Sequence, residues 1–167
     1  GLLHALRAMG ADIALSSVRD AGGEPVADLH VRHAPLRGIE VDTAWVPDMI
    51  DEFPVLFAAA ACARGTTIVR GAAELRVKES DRIAAMATGL RALGIGVDEF
   101  DDGAAIHGGL PQGGAVDSRG DHRIAMAFAV AAQCAAGPVR IGDVANVATS
   151  YPGFAESMRA IGLALQP

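Results

Sequence analysis

The sequence has 167 residues, of which 51% are hydrophobic and 4% aromatic, and its formal net charge is −6. This length and composition predict a globular domain with a sizeable core and exclude a disordered chain. The sequence has no basic run, and no apolar stretch reaches the ~20 residues that cross a bilayer, so we expect neither a nucleic-acid partner nor a membrane segment.

A helical pattern that ends at a glycine occurs three times along the chain. In each copy, apolar residues recur at a spacing of three or four, a glycine ends the helix, and a short strand follows. The copies occupy residues 2–15, 86–100 and 156–167, and their glycines are Gly10, Gly94 and Gly162. The first copy begins at once, as GLLHALRAMG with no initiator Met, so we interpret the chain as a piece of something longer.

A second pattern occurs in residues 51–71 and 121–142. In both segments an Asp precedes an apolar helix, a Gly ends the helix, and a β-branched strand follows. The two patterns alternate, which predicts an internal repeat with a period of roughly 70–80 residues. We therefore divide a single partial domain, residues 1–167, into units at approximately 1–71, 72–142 and 143–167.

The helices of the second pattern are apolar on all sides. PVLFAAAACA has no polar face, and IAMAFAVAAQCAA has one polar residue, Gln133. A helix that is apolar all round is buried, so we predict an α/β fold with helices inside and strands outside, the inverse of the usual order of layers. We expect crossover connections rather than hairpins. The strand candidates are residues 28–33, 39–42, 66–70, 97–100, 104–108 and 138–142.

The two cysteines, Cys62 and Cys134, each lie in an Ala-rich apolar run three residues before a glycine. This setting is typical of small buried hydrophobic residues. The spacing indicates neither a disulfide framework nor a metal site, so we expect a cytoplasmic protein that binds no metal.

Charged residues gather where the predicted helices begin: at Asp51, at Lys78–Arg82 and at Asp121–Arg123. The first turn of a helix has unpaired N–H groups and a partial positive charge, which favour an anion. Arg82 and Arg123 would add the forked guanidinium groups that suit phosphate or carboxylate. Asp51 and Asp121 are also ordinary N-cap candidates, and KESDR is also consistent with a solvated first turn.

Four motifs follow one another along the chain: MIDEFPVLFAAAACARGTT, LRVKESDRIAAMATGL, DHRIAMAFAVA and VATSYPGF. Together they resemble the carboxy-terminal part of the 5-enolpyruvylshikimate-3-phosphate synthase family, and they stand in that family's order. The IDEFP and ATSYP forms resemble its class II branch. The resemblance implies an inverse α/β fold of repeated βαβαββ units and a second, amino-terminal domain that this chain lacks.

The resemblance also implies a reaction and a set of site residues. The enolpyruvyl group of phosphoenolpyruvate would pass to the 5-hydroxyl of shikimate 3-phosphate, without a metal or redox cofactor. Asp51 would be the catalytic base and would contact shikimate 3-phosphate, Lys78 would contact the same substrate, and Glu79 would be the proton donor. Arg82 and Arg123 would hold phosphoenolpyruvate. Which of the three catalytic residues moves which proton stays open, because coupled groups share their titration.

Two positions depart from the family pattern. Thr149 stands where many members have a lysine, and Glu74 stands where an asparagine is common. The missing domain would supply further cations to both substrates, so we expect this chain alone to be inactive or nearly so. The alternatives are a UDP-N-acetylglucosamine enolpyruvyl transferase and a non-catalytic fragment of the same fold.

Overall fold

Six helices and seven strands make up residues 1–166, the part of the chain that the computed structural model describes. The helices are α1 (Leu2–Ala8), α2 (Phe53–Ala61), α3 (Arg82–Ala92), α4 (His122–Ala131), α5 (Ala145–Ser150) and α6 (Phe154–Ala160). The strands are β1 (Asp12–Ala21), β2 (Glu24–Arg32), β3 (Gly65–Val69), β4 (Gly96–Phe100), β5 (Gly103–Gly108), β6 (Gly114–Asp117) and β7 (Val139–Gly142).

Helices α2, α3 and α4 contact one another and form the inner layer. α2 begins with Pro54 in its first turn, where the missing N–H costs nothing and the fixed φ favours the helix. Gly89 of α3 faces the ring of Phe128 in α4, and a Cβ at Gly89 would lie 2.2 Å from Cζ of that ring. The absence of a side chain at this one position therefore allows α3 and α4 to pack closely.

The chain forms three small sheets, two of which pack on these helices, whereas the third, β1–β2, is largely exposed. β1 and β2 form an antiparallel hairpin, β3–β5–β4 form an antiparallel sheet, and β6 and β7 pair in parallel. The three-stranded sheet packs on α2 and α3, and the β6–β7 pair packs on α3 and α4. The α/β class is confirmed, and the predicted order of layers agrees with this packing.

Most strand candidates coincide with strands. Residues 39–42 are the exception, because they make only an isolated bridge, from Glu40 to Ile68 of β3. The expectation that crossovers replace hairpins is wrong: β1–β2 and β4–β5 are both hairpins. The first turns at Gly22–Gly23, both with positive φ, and such conformations suit the tight turn of a hairpin. The proposed repeat boundaries stay a prediction.

Cys62 and Cys134 lie at the same end of two parallel helices. Cys62 follows α2 and is half-buried, whereas Cys134 ends a 3-10 turn after α4 and is exposed. The prediction that both are buried is therefore wrong for Cys134. Burial, together with the neighbouring thiol of Cys134, raises the pKa of Cys62 to about 12.

None of the helices within residues 1–166 is long and apolar enough to cross a membrane. Over the same residues, no three or more His, Cys, Asp or Glu side chains group in a way that could hold a metal ion.

Candidate active site

Lys78, Arg82 and Arg123 meet around the carboxylate of Asp51, and Glu79, the fifth residue predicted for the site, joins them through Arg82. Asp51 lies in the 3-10 turn Pro47–Glu52 that leads into α2. Oδ1 of Asp51 is 2.9 Å from Nη1 of Arg82 and 3.7 Å from Nζ of Lys78, and Oδ2 is 3.5 Å from Nη2 of Arg123. Three cations from two segments of the chain thus share the carboxylate of Asp51, whose side chain is 40% exposed.

Arg82 is the buried centre of this cluster. Its side chain is 1% exposed, and all three of its nitrogens donate to carboxylates. Nε donates to Asp121 at 2.8 Å, Nη1 donates to Asp51, and Nη2 donates to Glu79. A buried charge needs partners of this kind, because an unpaired guanidinium away from water is costly.

Lys78 and Glu79 lie between a 3-10 turn, Ala73–Val77, and the start of α3. Nζ of Lys78 donates to Glu74 and also approaches Asp51. The side chain of Glu79 is 54% exposed, with one oxygen held by Arg82. Glu79 is therefore the most accessible of the three carboxylates that Arg82 binds.

The cluster shifts the acid–base behaviour of Asp51 and Lys78. Burial would raise the pKa of Asp51, but the hydrogen bond from Arg82 and the charges of Arg123 and Lys78 outweigh it, so its pKa lies below the ordinary value. The hydrogen bond to Glu74 raises the pKa of Lys78, against a smaller opposing effect of desolvation. Near neutral pH, Asp51 is therefore an anion and Lys78 a cation.

The charges of the cluster nearly balance. Lys78, Arg82 and Arg123 face four carboxylates, and the net charge is −1 when all of them are ionised. The four carboxylates belong to Asp51, Glu74, Glu79 and Asp121. A ligand with several negative charges would therefore need further cations from outside this cluster.

A cavity of about 150 Å³ opens beside the cluster, between Asp51, Arg123 and the apolar side chains of Met126, Val130 and Phe154. A larger groove of about 930 Å³ lies between α4 and the pair α5–α6. None of the five predicted site residues lines that larger groove. The smaller cavity is the one that the site chemistry can reach.

The N-cap interpretation is correct for one of the two aspartates. Asp121 caps α4 by accepting from the backbone N–H of Arg123 at 2.9 Å, and it also binds Arg82. Asp51 is not a cap, because Glu52 is the residue that precedes α2, which has no side-chain cap. α3 is capped by Asp81, which accepts from the N–H of Ala84.

Two contacts of the cluster were not predicted from the sequence: Glu74 binds Lys78, and Ser80 donates to Asp121 at 3.1 Å. Glu74 stands four positions before Lys78, a spacing that signals a pair on a helical turn. No sequence signal marks the contact of Ser80 with a residue 41 positions away. Thr149, the departure from the family pattern, is exposed on α5.

The family model of EPSP synthase (3-phosphoshikimate 1-carboxyvinyltransferase) matches residues 1–158. The chain belongs to the EPSP synthase family. This membership agrees with the resemblance that the motifs indicate. The carboxy-terminal placement and the class II affinity stay predictions.

Curated relatives from the EPSP synthase family match nearly the whole chain. The 3-phosphoshikimate 1-carboxyvinyltransferase of Xanthomonas campestris pv. campestris (strain 8004) is 66% identical over 165 residues. That of Xanthomonas oryzae pv. oryzae (strain PXO99A) is 64% identical over 166 residues. Both alignments cover 99% of this chain and 38% of the relative, so the chain spans well under half the length of these relatives.

Two solved structures are also similar to nearly the whole chain. EPSP synthase from Acinetobacter baumannii superposes with a TM-score of 0.95 at 45% identity, over 99% of this chain and 39% of that protein. The enolpyruvyl transferase NikO from Streptomyces tendae superposes with a TM-score of 0.69 at 24% identity, over 99% of this chain and 35% of that protein. The second likeness shows the fold alone.

Proposed function

We propose that this chain forms part of an enzyme that transfers the enolpyruvyl group of phosphoenolpyruvate to the 5-hydroxyl of shikimate 3-phosphate. The observation that carries the proposal is the convergence of Lys78, Arg82 and Arg123 on the carboxylate of Asp51. Membership of the EPSP synthase family and the names of the curated relatives support the choice of reaction.

Asp51 and Glu79 would carry the proton transfers. Asp51 is ionised and partly exposed, so it can accept the proton of the 5-hydroxyl group. The oxygen of that hydroxyl group would at the same time bond to the enol carbon of phosphoenolpyruvate. Glu79 would give a proton to the methylene carbon, which yields a tetrahedral intermediate. Loss of phosphate from that intermediate, with return of the proton from the methyl carbon, would restore the double bond.

Lys78, Arg82 and Arg123 would bind the substrates. Lys78, a cation beside Asp51, would contact the phosphate of shikimate 3-phosphate. Arg123 borders the cavity and would hold phosphoenolpyruvate together with Arg82. Because Arg82 is buried, it would reach the ligand through Nη2, the nitrogen bound to the exposed carboxylate of Glu79, when that carboxylate turns aside.

The rest of the site would come from an amino-terminal domain outside these 167 residues, which span 38% of the length of the curated relatives. The two substrates together carry two phosphates and two carboxylates, whereas the cluster has no net positive charge to offer them. Stabilisation of a multiply charged intermediate needs preorganised cations. We therefore expect the isolated chain to be inactive or nearly so, and the assembled enzyme to work in the cytoplasm without a metal or redox cofactor.

The test is a complete enzyme in which this chain replaces the matching 165 residues of the Xanthomonas campestris relative. We expect steady phosphate release from phosphoenolpyruvate and shikimate 3-phosphate, and none when UDP-N-acetylglucosamine is the acceptor. Glu79→Gln should lower kcat by about 10²-fold or more, as loss of an acid–base group does. The matched control is Glu24→Gln, on the exposed hairpin.

Two results would contradict this assignment. One is turnover with UDP-N-acetylglucosamine in preference to shikimate 3-phosphate by the complete enzyme. The other is steady phosphate release by the isolated chain above that of its own Glu79→Gln variant, which would show that no second domain is required.

A further inference from the structure

We propose that Asp121 is a positioning residue that sets the orientation of both arginines assigned to phosphoenolpyruvate, which rests on the proposed function. Its side chain is fully buried, and both of its oxygens are used. Oδ2 accepts from Nε of Arg82 at 2.8 Å and from Oγ of Ser80 at 3.1 Å, and Oδ1 accepts from the backbone N–H of Arg123 at 2.9 Å.

The first step of the argument concerns the direction in which Arg82 points. A guanidinium has five N–H donors in a fixed fork. Asp121 occupies the Nε edge, so Nη1 and Nη2 must point toward Asp51 and Glu79, the partly exposed side of the cluster. Asp121 is the only one of the three partners that is fully buried. Asp121 therefore fixes the orientation of the Arg82 guanidinium.

The second step concerns Arg123. Because Asp121 is the N-cap of α4, the carboxylate that orients Arg82 also fixes where α4 begins. Arg123 lies in the first turn of that helix, and its Nη1 donates to the backbone oxygen of Asp51 at 3.1 Å. One buried side chain therefore ties the position of α3, through Arg82, to the position of α4, through Arg123.

Asp81 is a matched comparison within the same chain. It caps α3 as Asp121 caps α4, but its second oxygen pairs with Arg76 at 2.8 Å rather than with Arg82. Asparagine at either position keeps a side-chain oxygen that can cap the helix and loses the charge. Asp81→Asn thus reproduces the loss of a capping carboxylate without touching either arginine of the site.

The kinetic test uses the complete enzyme defined above. Asp121→Asn should raise the KM for phosphoenolpyruvate about tenfold, the size expected when a charge-assisted hydrogen bond is lost. The KM of Asp121→Asn for shikimate 3-phosphate should stay within about twofold of the parent value. In Asp81→Asn, the KM values for both substrates should stay within the same range. In an Arg82→Lys background, where Nε no longer exists, Asp121→Asn should change the KM for phosphoenolpyruvate much less.

Three kinetic results would overturn the proposal. They are an unchanged KM for phosphoenolpyruvate in Asp121→Asn, an equal rise of both KM values, and an undiminished effect of Asp121→Asn in the Arg82→Lys background.

A second measurement, on the 167-residue chain, does not depend on catalysis. The Nε–H of Arg82 should give a slowly exchanging NMR signal, because it is buried in a charge-assisted hydrogen bond. Asp121→Asn should abolish the slow exchange, whereas Asp81→Asn should leave it. Persistence of the signal in folded Asp121→Asn would overturn the positioning role. An inactive complete enzyme in which the signal behaves as expected would instead overturn the proposed function.

Discussion

Nη1 of Arg123 donates to the backbone carbonyl oxygen of Asp51 at 3.1 Å, so the first turn of α4 is hydrogen-bonded to the 3-10 turn that leads into α2. Cys62 lies 11 positions after Asp51, and Cys134 lies 11 positions after Arg123. The two helices therefore run parallel in matching register, with the site at one end and the two thiols at the other. Predictions can therefore be tested at both ends of this helix pair.

At the site end, Asp51→Asn in the complete enzyme should lower kcat by about 10²–10⁴-fold, because a neutral amide cannot take the proton of the 5-hydroxyl. Initial rates of phosphate release measure the change. Asp48→Asn, in the same 3-10 turn but exposed, is the matched control and should stay within about twofold of the parent. Equal losses in the two variants would exclude a specific role for Asp51.

The buried carboxylate of Asp121 should make the stability of the chain depend on pH. Burial alone would raise the pKa of Asp121, but the hydrogen bond and charge of Arg82, with donors from Arg123 and Ser80, hold it below the ordinary value. Because the pKa of Asp121 is lower in the folded chain than its ordinary value of 3.8, the carboxylate stabilises the fold at pH values above 3.8. This stabilisation is lost as the pH falls through the pKa of Asp121 in the folded chain.

Urea unfolding of the 167-residue chain at several pH values between about pH 7 and about pH 3 measures this effect. The free energy of unfolding should fall toward the acid end. Asp121→Asn should be less stable by about 1.5–3 kcal/mol at neutral pH and should lose less on acidification, since its amide does not titrate. If the free energy of unfolding of Asp121→Asn falls as steeply with decreasing pH as that of the parent, the pH dependence comes from other carboxylates.

At the opposite end of the helices, the two thiols should differ in reactivity. With a pKa of about 12, Cys62 has on the order of one thiolate in 10⁴ at pH 8, whereas Cys134 is exposed. Iodoacetamide should therefore label Cys134 first, as followed by mass spectrometry of the parent and of Cys62→Ala and Cys134→Ala. Labelling of Cys62 at the rate of Cys134 would be inconsistent with its burial.

Gly89→Ala should destabilise the chain even though Gly→Ala in a helix usually stabilises by about 1 kcal/mol. The new Cβ would meet the ring of Phe128 at 2.2 Å, and overpacking of this kind costs about 1–3 kcal/mol. The urea midpoint measures the balance. In a Phe128→Leu background the same substitution should cost less, and an increase in stability on the parent background would show that α3 and α4 can separate freely.

Much of the fold could be predicted from local patterns. The all-apolar sequences of α2 and α4 predicted burial on every side, and the structure places both helices in the inner layer. Charges at helix starts indicated the three segments that contain the five candidate site residues, and the resemblance to the family selected these five within the segments. Only the start of β1 was predicted, as the short strand that follows Gly10. The rest of β1 could not be predicted in this way, since both faces of that strand are largely exposed and its polarity does not alternate.

Contacts between distant parts of the chain could not be predicted from local sequence patterns. The contact of Ser80 with Asp121 joins residues that only the packing of α3 against α4 brings together. Cys134 resembles Cys62 in sequence, yet it follows α4 on a short turn that leaves the inner layer. Exposure at the end of a helix depends on what covers that end, and sequence periodicity does not contain this information.

The order in which the chain is made has a consequence for Arg82. A growing polypeptide that ends at residue 120 already contains α3 but lacks Asp121, the one fully buried partner of that guanidinium. Until Asp121 has been synthesised, burial of Arg82, the first residue of α3, leaves its Nε–H without a carboxylate partner. The packing of α4 therefore supplies the last carboxylate partner of Arg82 and at the same time places Arg123 beside Asp51.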